Sequence, residues 1–379
     1  MRLISTFSLS ALLVACNGTN AITTGESPVL LPRAEGDVYG FQAETLAPGV
    51  YALNEGNDFH IQPRGNVEVI EQSNGVVLVD GGGSPAGAEQ VIGFVRSKTP
   101  KPVTAIVITH WHGDHALGVS RLLQEWPDAR VISTGPTSDM LTSPEADRYM
   151  PGDDAEKNAA YMANIQGGVA FLKGASQDEQ YSEAERAGFA QSAVEYEQFA
   201  REMATARRAA PTETFEHSLT LADQTHPVEV TFLGRANTAG DAVVWLPRQK
   251  VVITGDLVVA PVPFGFNSYP EEWIGVLDQV RGLNYAVLAP GHGRPMRDTA
   301  YVDLLISMVT DVRAQVAPLA STDMGAAAVN AAVELDEAQA TIAGDDPWLR
   351  RWFRDYWKEP IVSSALREAR GVPIVQGSN

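Results

Sequence analysis

"VTAIVITHWHGDH", residues 103–115, carries an apolar run directly into three histidines and an aspartate. An unbroken run of this kind is what a strand buried on both faces requires, and such strands belong to layered α/β folds. Side chains alternate along an extended chain, so His110 and His112 would point the same way and share one cation. Asp114 and His115 come where the chain leaves the strand, free to turn toward a second ion. The chain has only seven histidines, and three fall within six residues here, which makes a chance cluster a poor account. Neutral imidazoles and carboxylates suit Zn²⁺, and also Fe or Mn where oxygen ligands are abundant.

Strand patterns lie on both sides of this run. "VYAL" (50–53), "NVEVIEQ" (66–72) and "VVLVD" (76–80) are rich in β-formers, with Ser73-Asn74-Gly75 as a hairpin turn. The spacing predicts a helix over 86–97, then the 103–110 strand, a helix over Leu117 to Glu125 and a strand "ARVIST" at 129–134. This alternation predicts an α/β layered plan. Residues 136–217 are charged, alanine-rich and poor in strand signal, and are expected to form a helical insertion. Strands resume at 228–234, 242–247, 251–256 and 285–293, and residues 299–379 form a helical C-terminal extension. Its aromatics, Trp348, Trp352, Phe353, Tyr356 and Trp357, are expected to be packing residues.

The opening "MRLISTFSLSALLVAC" has Arg2, an apolar segment and a small residue before Cys16. That layout resembles a bacterial lipoprotein signal over 1–16 in which Cys16 is lipidated, followed by a polar tether over 17–40. The expected location is periplasmic, with the membrane contacted only through the lipid anchor. Cys16 is the sole cysteine, so any metal site must be built from His, Asp, Glu or Asn. A formal charge of −19 and a pI near 4.7 repel phosphate backbones and argue against nucleic acid. A small-molecule substrate fits better, and the apolar tail and insertion leave room for a homodimer.

"HWHGDH" (110–115) resembles the H-x-H-x-D-H signature of the metallo-β-lactamase-fold hydrolases, and further motifs follow in the family's order. "GVVLVDGGG" (75–83) is similar to its early strand and glycine loop, with Asp80. "TGD" (254–256) is similar to its bridging aspartate segment and "PGHG" (290–293) to its last histidine. The resemblance implies a four-layer αββα sandwich over 41–298, interrupted by the insertion. It implies that His110 and His112 serve a first metal, Asp114, His115 and His292 a second, and Asp256 both. The expected cofactor is two Zn²⁺, with Asp114 also acting in catalysis and a hydroxide held between the ions as nucleophile. One departure stands out: "GRANTAGD" (234–241) places Asn237 where the family has a further histidine. An amide carbonyl binds zinc more weakly than imidazole, so Asn237 predicts a looser first site. His226 lies a whole strand away, and His217 reads as a solvated residue.

Asp256 and Val259 depart from the lactamase subclass that uses a cysteine ligand and a later lysine, and the aspartate resembles the glyoxalase II and lactonase branches. The resemblance therefore implies hydrolysis of an ester-like or amide-like carbonyl in a lactone, thioester or β-lactam. A catalytically degenerate binding lipoprotein is the alternative, motivated by Asn237, and a mononuclear iron oxygenase is a third reading. For substrate contact the expected residues are Phe59 and His60, in the loop that overhangs the site in this family, and Phe264, Phe266, Tyr269 and Trp273 after the bridging aspartate.

Overall fold

A computed structural model describes residues 27–151 and 154–376, so Cys16, the signal segment and the first part of the tether, residues 17–26, lie outside the described residues. Eight strands form the first sheet in chain order: β1 (Val29–Leu30), β2 (Gln42–Ala47), β3 (Val50–Asn54), β4 (Val67–Glu71), β5 (Val76–Val79), β6 (Val103–Val107), β7 (Arg130–Thr134) and β8 (Glu213–Phe215). They run antiparallel up to β5 and parallel from β5 to β8. The second sheet contains β9 (Ser218–Leu221), β10 (Val228–Phe232), β11 (Ala242–Leu246), β12 (Val251–Ile253) and β13 (Val287–Ala289), ordered β13-β12-β11-β10-β9.

Side-chain alternation sorts these strands into three apolar layers. In β5, Val77 and Val79 enter the core between the sheets, while Val76 and Leu78 face helices Pro85–Lys98 and Val119–Glu125. In β11, Val244 and Leu246 enter the same central core, and Val243 faces helices Pro270–Gly282 and Ala300–Ala320. The result is an αββα sandwich, as expected. Each fully buried Val, Leu or Ile here contributes roughly 1.5–3 kcal/mol over an exposed one. Helix Pro85–Lys98 starts where Ser84 Oγ accepts from the Gly87 N–H and Pro85 has no N–H that needs an acceptor.

Beyond these layers, helices Ala155–Ala175 and Glu183–Met203 pack on each other, the second opened by a reciprocal Ser182–Glu185 cap. The C-terminal helices cover the outer face of the second sheet, with Phe353, Trp357, Ile361 and Val362 in its core. Among the described residues no helix is long and apolar enough to cross a membrane.

The structure also revises several sequence expectations. Strands β1, β2 and β9 have no counterpart among them, β1 pairing with β2 from within the expected tether 17–40, and the last part of 136–217 contributes β8 rather than helix. The expected strand 103–110 ends at Val107. The cause is a contact from the neighbouring strand, since Thr109 N–H donates to Asp80 Oδ1 at 2.7 Å instead of continuing the ladder. His110 and His112 thus lie in the loop after β6, and the loop, not strand alternation, brings them together.

Candidate metal centre and its cavity

All the chemistry-bearing segments leave the sheets at one edge. Asp80 follows β5 in the left-handed region at φ 64°, where aspartate is one of the few tolerated side chains. The glycines after it permit close approach: at Gly83, φ +70°, a Cβ would lie 2.6 Å from the Asp114 carbonyl. Gly291 in "PGHG" plays the same part for the second sheet, since a Cβ there would strike Asp256 Oδ1 at 2.1 Å.

Two ligand groups result, sharing Asp256. In the first, His110 Nε2 lies 2.9 Å from His112 Nδ1 and 3.6 Å from Asp256 Oδ2. In the second, His115 Nε2 lies 3.1 Å from Asp256 Oδ1, 3.4 Å from Asp114 Oδ2 and 3.2 Å from His292 Nε2. His292 Nε2 is also 3.0 Å from Asp114 Oδ2. Within each group the candidate ligand atoms all lie within 4.8 Å of one another. Both Asp256 oxygens are buried and meet no donor other than these ring nitrogens. Imidazole nitrogens this close must share a proton or aim their lone pairs at a cation, and the surrounding carboxylates favour the cation. The donor set fits two divalent ions, and its nitrogen-rich character suits zinc.

A second layer fixes the tautomers. Asp80 Oδ2 accepts from His115 Nδ1 at 2.7 Å and from Thr109 Oγ1 at 2.8 Å, and Thr109 Oγ1 is 3.0 Å from His110 Nδ1. With Nδ1 occupied in both rings, Nε2 is left for the centre.

Electrostatics follow the packing. Burial opposes charge on His115, yet the Asp256, Asp114 and Asp80 carboxylates together raise its pKa well above the ordinary value. Burial also opposes the Asp256 carboxylate, but His292, His115 and His110 hold its pKa far below the usual range. Burial and neighbouring His110 push His112 down to about 3, leaving it neutral and able to donate a lone pair.

Asn237 is buried beside this edge. Its Nδ2 donates to the Phe264 carbonyl at 3.3 Å, while Oδ1 is buried without a hydrogen-bond partner. Asp241 holds the loop by accepting from Thr238 N–H and Oγ1, each at 2.8 Å. An orphaned buried carbonyl is what a ligand or an ordered water would satisfy.

Above the two groups opens a cavity of about 460 Å³, with His112, Asp114 and Asp256 among its lining residues. Its walls come from the loop after β3 (Ile61, Pro63), from Trp111, from the insertion (Tyr149, Tyr161, Phe199), from Phe264 and Phe266, and from Tyr356. Among the described residues no lysine or arginine lines it.

Of the residues expected to touch substrate, Phe264 and Phe266 line this cavity and four do not. Phe59 stacks on Trp352 at 5.4 Å behind the wall. His60 pairs with Glu195 at 3.0 Å and stacks on Tyr39. With Phe59 it borders a void of about 20 Å³ beside His292 and a separate cavity of about 480 Å³, lined also by Val38 and Gln191, that none of the candidate ligands lines. Tyr269 is buried under the Arg235 guanidinium, and Trp273 is a core residue whose indole donates to the Leu257 carbonyl at 3.2 Å. Conversely, Tyr356 belongs to the cavity although its spacing reads as packing, and Tyr149, Tyr161 and Phe199 gave no signal because helix periodicity cannot say what a face packs against. Trp111, between two candidate ligands, was the one visible clue. His217 is exposed, and His226 caps the opposite end at Pro48 O, 2.9 Å away.

Known proteins agree with this architecture. The chain is 25% identical to a linear primary-alkylsulfatase of Pseudomonas sp. over 301 residues, 75% of this chain and 52% of that protein. It therefore spans about half that relative's length. A shorter match, 44% identical over 59 residues, links 16% of it to 21% of a hydroxyacylglutathione hydrolase of Synechococcus sp.. Among solved structures, a sec-alkyl sulfatase double mutant superposes with a TM-score of 0.55 at 15% identity, covering 87% of this chain and 50% of the other, which speaks for the fold alone. The profile of the metallo-beta-lactamase superfamily matches residues 62–292, a span that contains both sheets' site-bearing edges and both ligand groups, and the chain belongs to that superfamily of metal-dependent hydrolases.

Proposed function

We propose that this chain is a dinuclear zinc hydrolase that adds water to an ester-like or amide-like carbonyl, in a lactone, thioester or β-lactam, whose remaining body is uncharged and apolar. The observation that carries this reading is the pair of ligand groups sharing Asp256 beneath a cavity with aromatic walls and, among the described residues, no lining lysine or arginine. His110, His112 and Asp256 would hold one ion, with the unpartnered Asn237 Oδ1 as a further weak ligand, and Asp114, His115, Asp256 and His292 the other. Bound there, such ions lower the pKa of water toward neutrality and polarise a carbonyl. The chain's own groups do the rest. Asp114 is the ligand carboxylate open to the cavity, 26% exposed against 1% for Asp256, and so is placed to receive a proton from incoming water. The aromatic walls bury the acyl body and exclude bulk solvent. A remote anionic group on the substrate would find no fixed partner.

Sulfate-ester hydrolysis is the second reading, favoured by the 301-residue match to an alkylsulfatase. A degenerate binding protein is the third, motivated by Asn237. Elemental analysis and a panel of neutral esters, lactones, thioesters, β-lactams and alkyl sulfates separate them. Close to two zinc ions per chain with turnover of neutral acyl substrates is the expected result, and Asp256→Ala is expected to lose both metal and turnover. Turnover of alkyl sulfates alone would overturn the carbonyl reading. Metal without any turnover would favour binding. We further propose a periplasmic chain anchored through lipidated Cys16; Cys16→Ser is expected to move it from the membrane to the soluble fraction.

A further inference from the structure

After helix Glu359–Ala369 the chain turns at Gly371, φ +65°, and runs without regular structure to Gln376. Residues 371–373 and 375 are exposed, whereas Ile374 and Gln376 turn partly inward, and Gln376 lines the cavity. Gln376 Oε1 accepts from the Trp111 indole N–H at 3.2 Å, and Gln376 Nε2 donates to the Asn267 carbonyl at 2.8 Å. An indole N–H can only donate and a carbonyl can only accept, so the chemistry leaves one orientation for the amide. Trp111 stands between His110 and His112 and meets the His112 ring edge-on at 4.6 Å. Asn267 follows Phe264 and Phe266, which form another wall of the same cavity. One side chain therefore ties the loop bearing the histidines to the aromatic loop.

We propose that Gln376 is a specificity-determining clamp: by fastening Trp111 to the 264–269 loop it sets the width of the cavity and hence the bulk of the acyl group admitted. This inference rests on the hydrolase reading above. Glutamate at this place could accept from Trp111 but would face the Asn267 carbonyl without a donor. Lysine could donate to Asn267 but offers Trp111 no acceptor, and asparagine is one methylene short. Without the clamp the aromatic loop keeps its bonds at Phe264, Gly265 and Tyr269, but the bond that joins the Trp111 indole to that loop through Gln376 is gone.

The test compares the wild-type chain with Gln376→Ala and Gln376→Glu on p-nitrophenyl acetate and p-nitrophenyl decanoate. The decanoate-to-acetate ratio of kcat/KM is expected to rise about tenfold in both variants, mainly through KM, the size of effect that a methylene or two of pocket discrimination gives. A second readout is the Trp111 indole proton in NMR, assigned with Trp111→Phe, which is expected to exchange with solvent at least about fivefold faster in both variants as its acceptor is lost or left poorly held. Unchanged exchange would overturn the clamp, and faster exchange with an unchanged ratio would overturn its role in specificity. Should the wild type hydrolyse no ester, the hydrolase reading fails by itself. Specificity is then judged by calorimetric Kd for decanamide, where a change of about fivefold between wild type and Gln376→Ala supports the clamp and equal values overturn it.

Discussion

Asp80→Asn should damage the metal centre although Asp80 touches no ion. Asparagine keeps the side-chain shape and tolerates the left-handed backbone at φ 64°, so the substitution isolates charge and hydrogen bonding. The carboxylate accepts three hydrogen bonds, from Thr109 N–H at 2.7 Å, Thr109 Oγ1 at 2.8 Å and His115 Nδ1 at 2.7 Å. An amide can place its NH₂ in only two ways. Facing Thr109, it meets an N–H donor at the end of β6 and leaves it unsatisfied. Facing His115, it forces Nδ1 to accept, which moves the ring proton to Nε2, the atom turned toward Asp256 and His292. Loss of one charge-assisted bond with a buried donor stranded costs about 2–3 kcal/mol, or roughly 30- to 150-fold in affinity. That range agrees with the 10- to 100-fold typical of residues that orient metal-bound histidines. Competition of the protein against a chromophoric zinc chelator reads the affinity directly, and circular dichroism of the metal-free protein checks that the fold persists. Zinc affinity within about threefold of wild type, in a folded protein, would refute the view that Asp80 sets the His115 tautomer.

Asn237→His is expected to tighten the weaker of the two bound ions by at least about tenfold, because imidazole replaces a neutral amide oxygen as the ligand; equal affinities by the same chelator competition would show that position 237 is not at the metal. The His60 ring pairs with Glu195 across the gap between the 55–64 loop and the insertion helix. Burial opposes its charge, but Glu195 and Glu55 raise its pKa from 6.5 to about 9. A raised folded-state pKa means stability that is fully present below 6.5 and lost as pH climbs through about 9, a contribution of about 3 kcal/mol at most. Unfolding of wild type and His60→Gln between pH 6 and 10 should therefore converge toward the alkaline end, and parallel curves would contradict the pairing.

The C-terminal extension and the insertion share one role in this fold. Each buries apolar surface against a sheet or its covering helices, and each also lends aromatic side chains to a cavity above the ligand groups: Tyr149, Tyr161 and Phe199 from one, Tyr356 from the other. On the proposed reading, substrate selection is the work of elements outside the two sheets, while the loops at the sheet edges carry the candidate ligands.

What the amino-acid sequence by itself determined was the layered α/β plan and the identity of the ligand candidates. The signals were local: an apolar run ending in HWHGDH, period-two strands, and short motifs at Asp256 and His292 whose residue types are chemically specific. Most strands and the helix at Pro85–Lys98 fell close to their expected positions for the same reason. Tertiary structure alone decided where β6 stops, because the Asp80 carboxylate that captures Thr109 comes from another strand. It alone sent Trp273 and Tyr269 into packed surroundings and brought Tyr356 and Gln376 to the cavity. Periodicity reports that a side chain is apolar on one face; which distant segment that face meets depends on how the layers stack, and contacts between residues a hundred or more positions apart leave no mark on either segment taken singly.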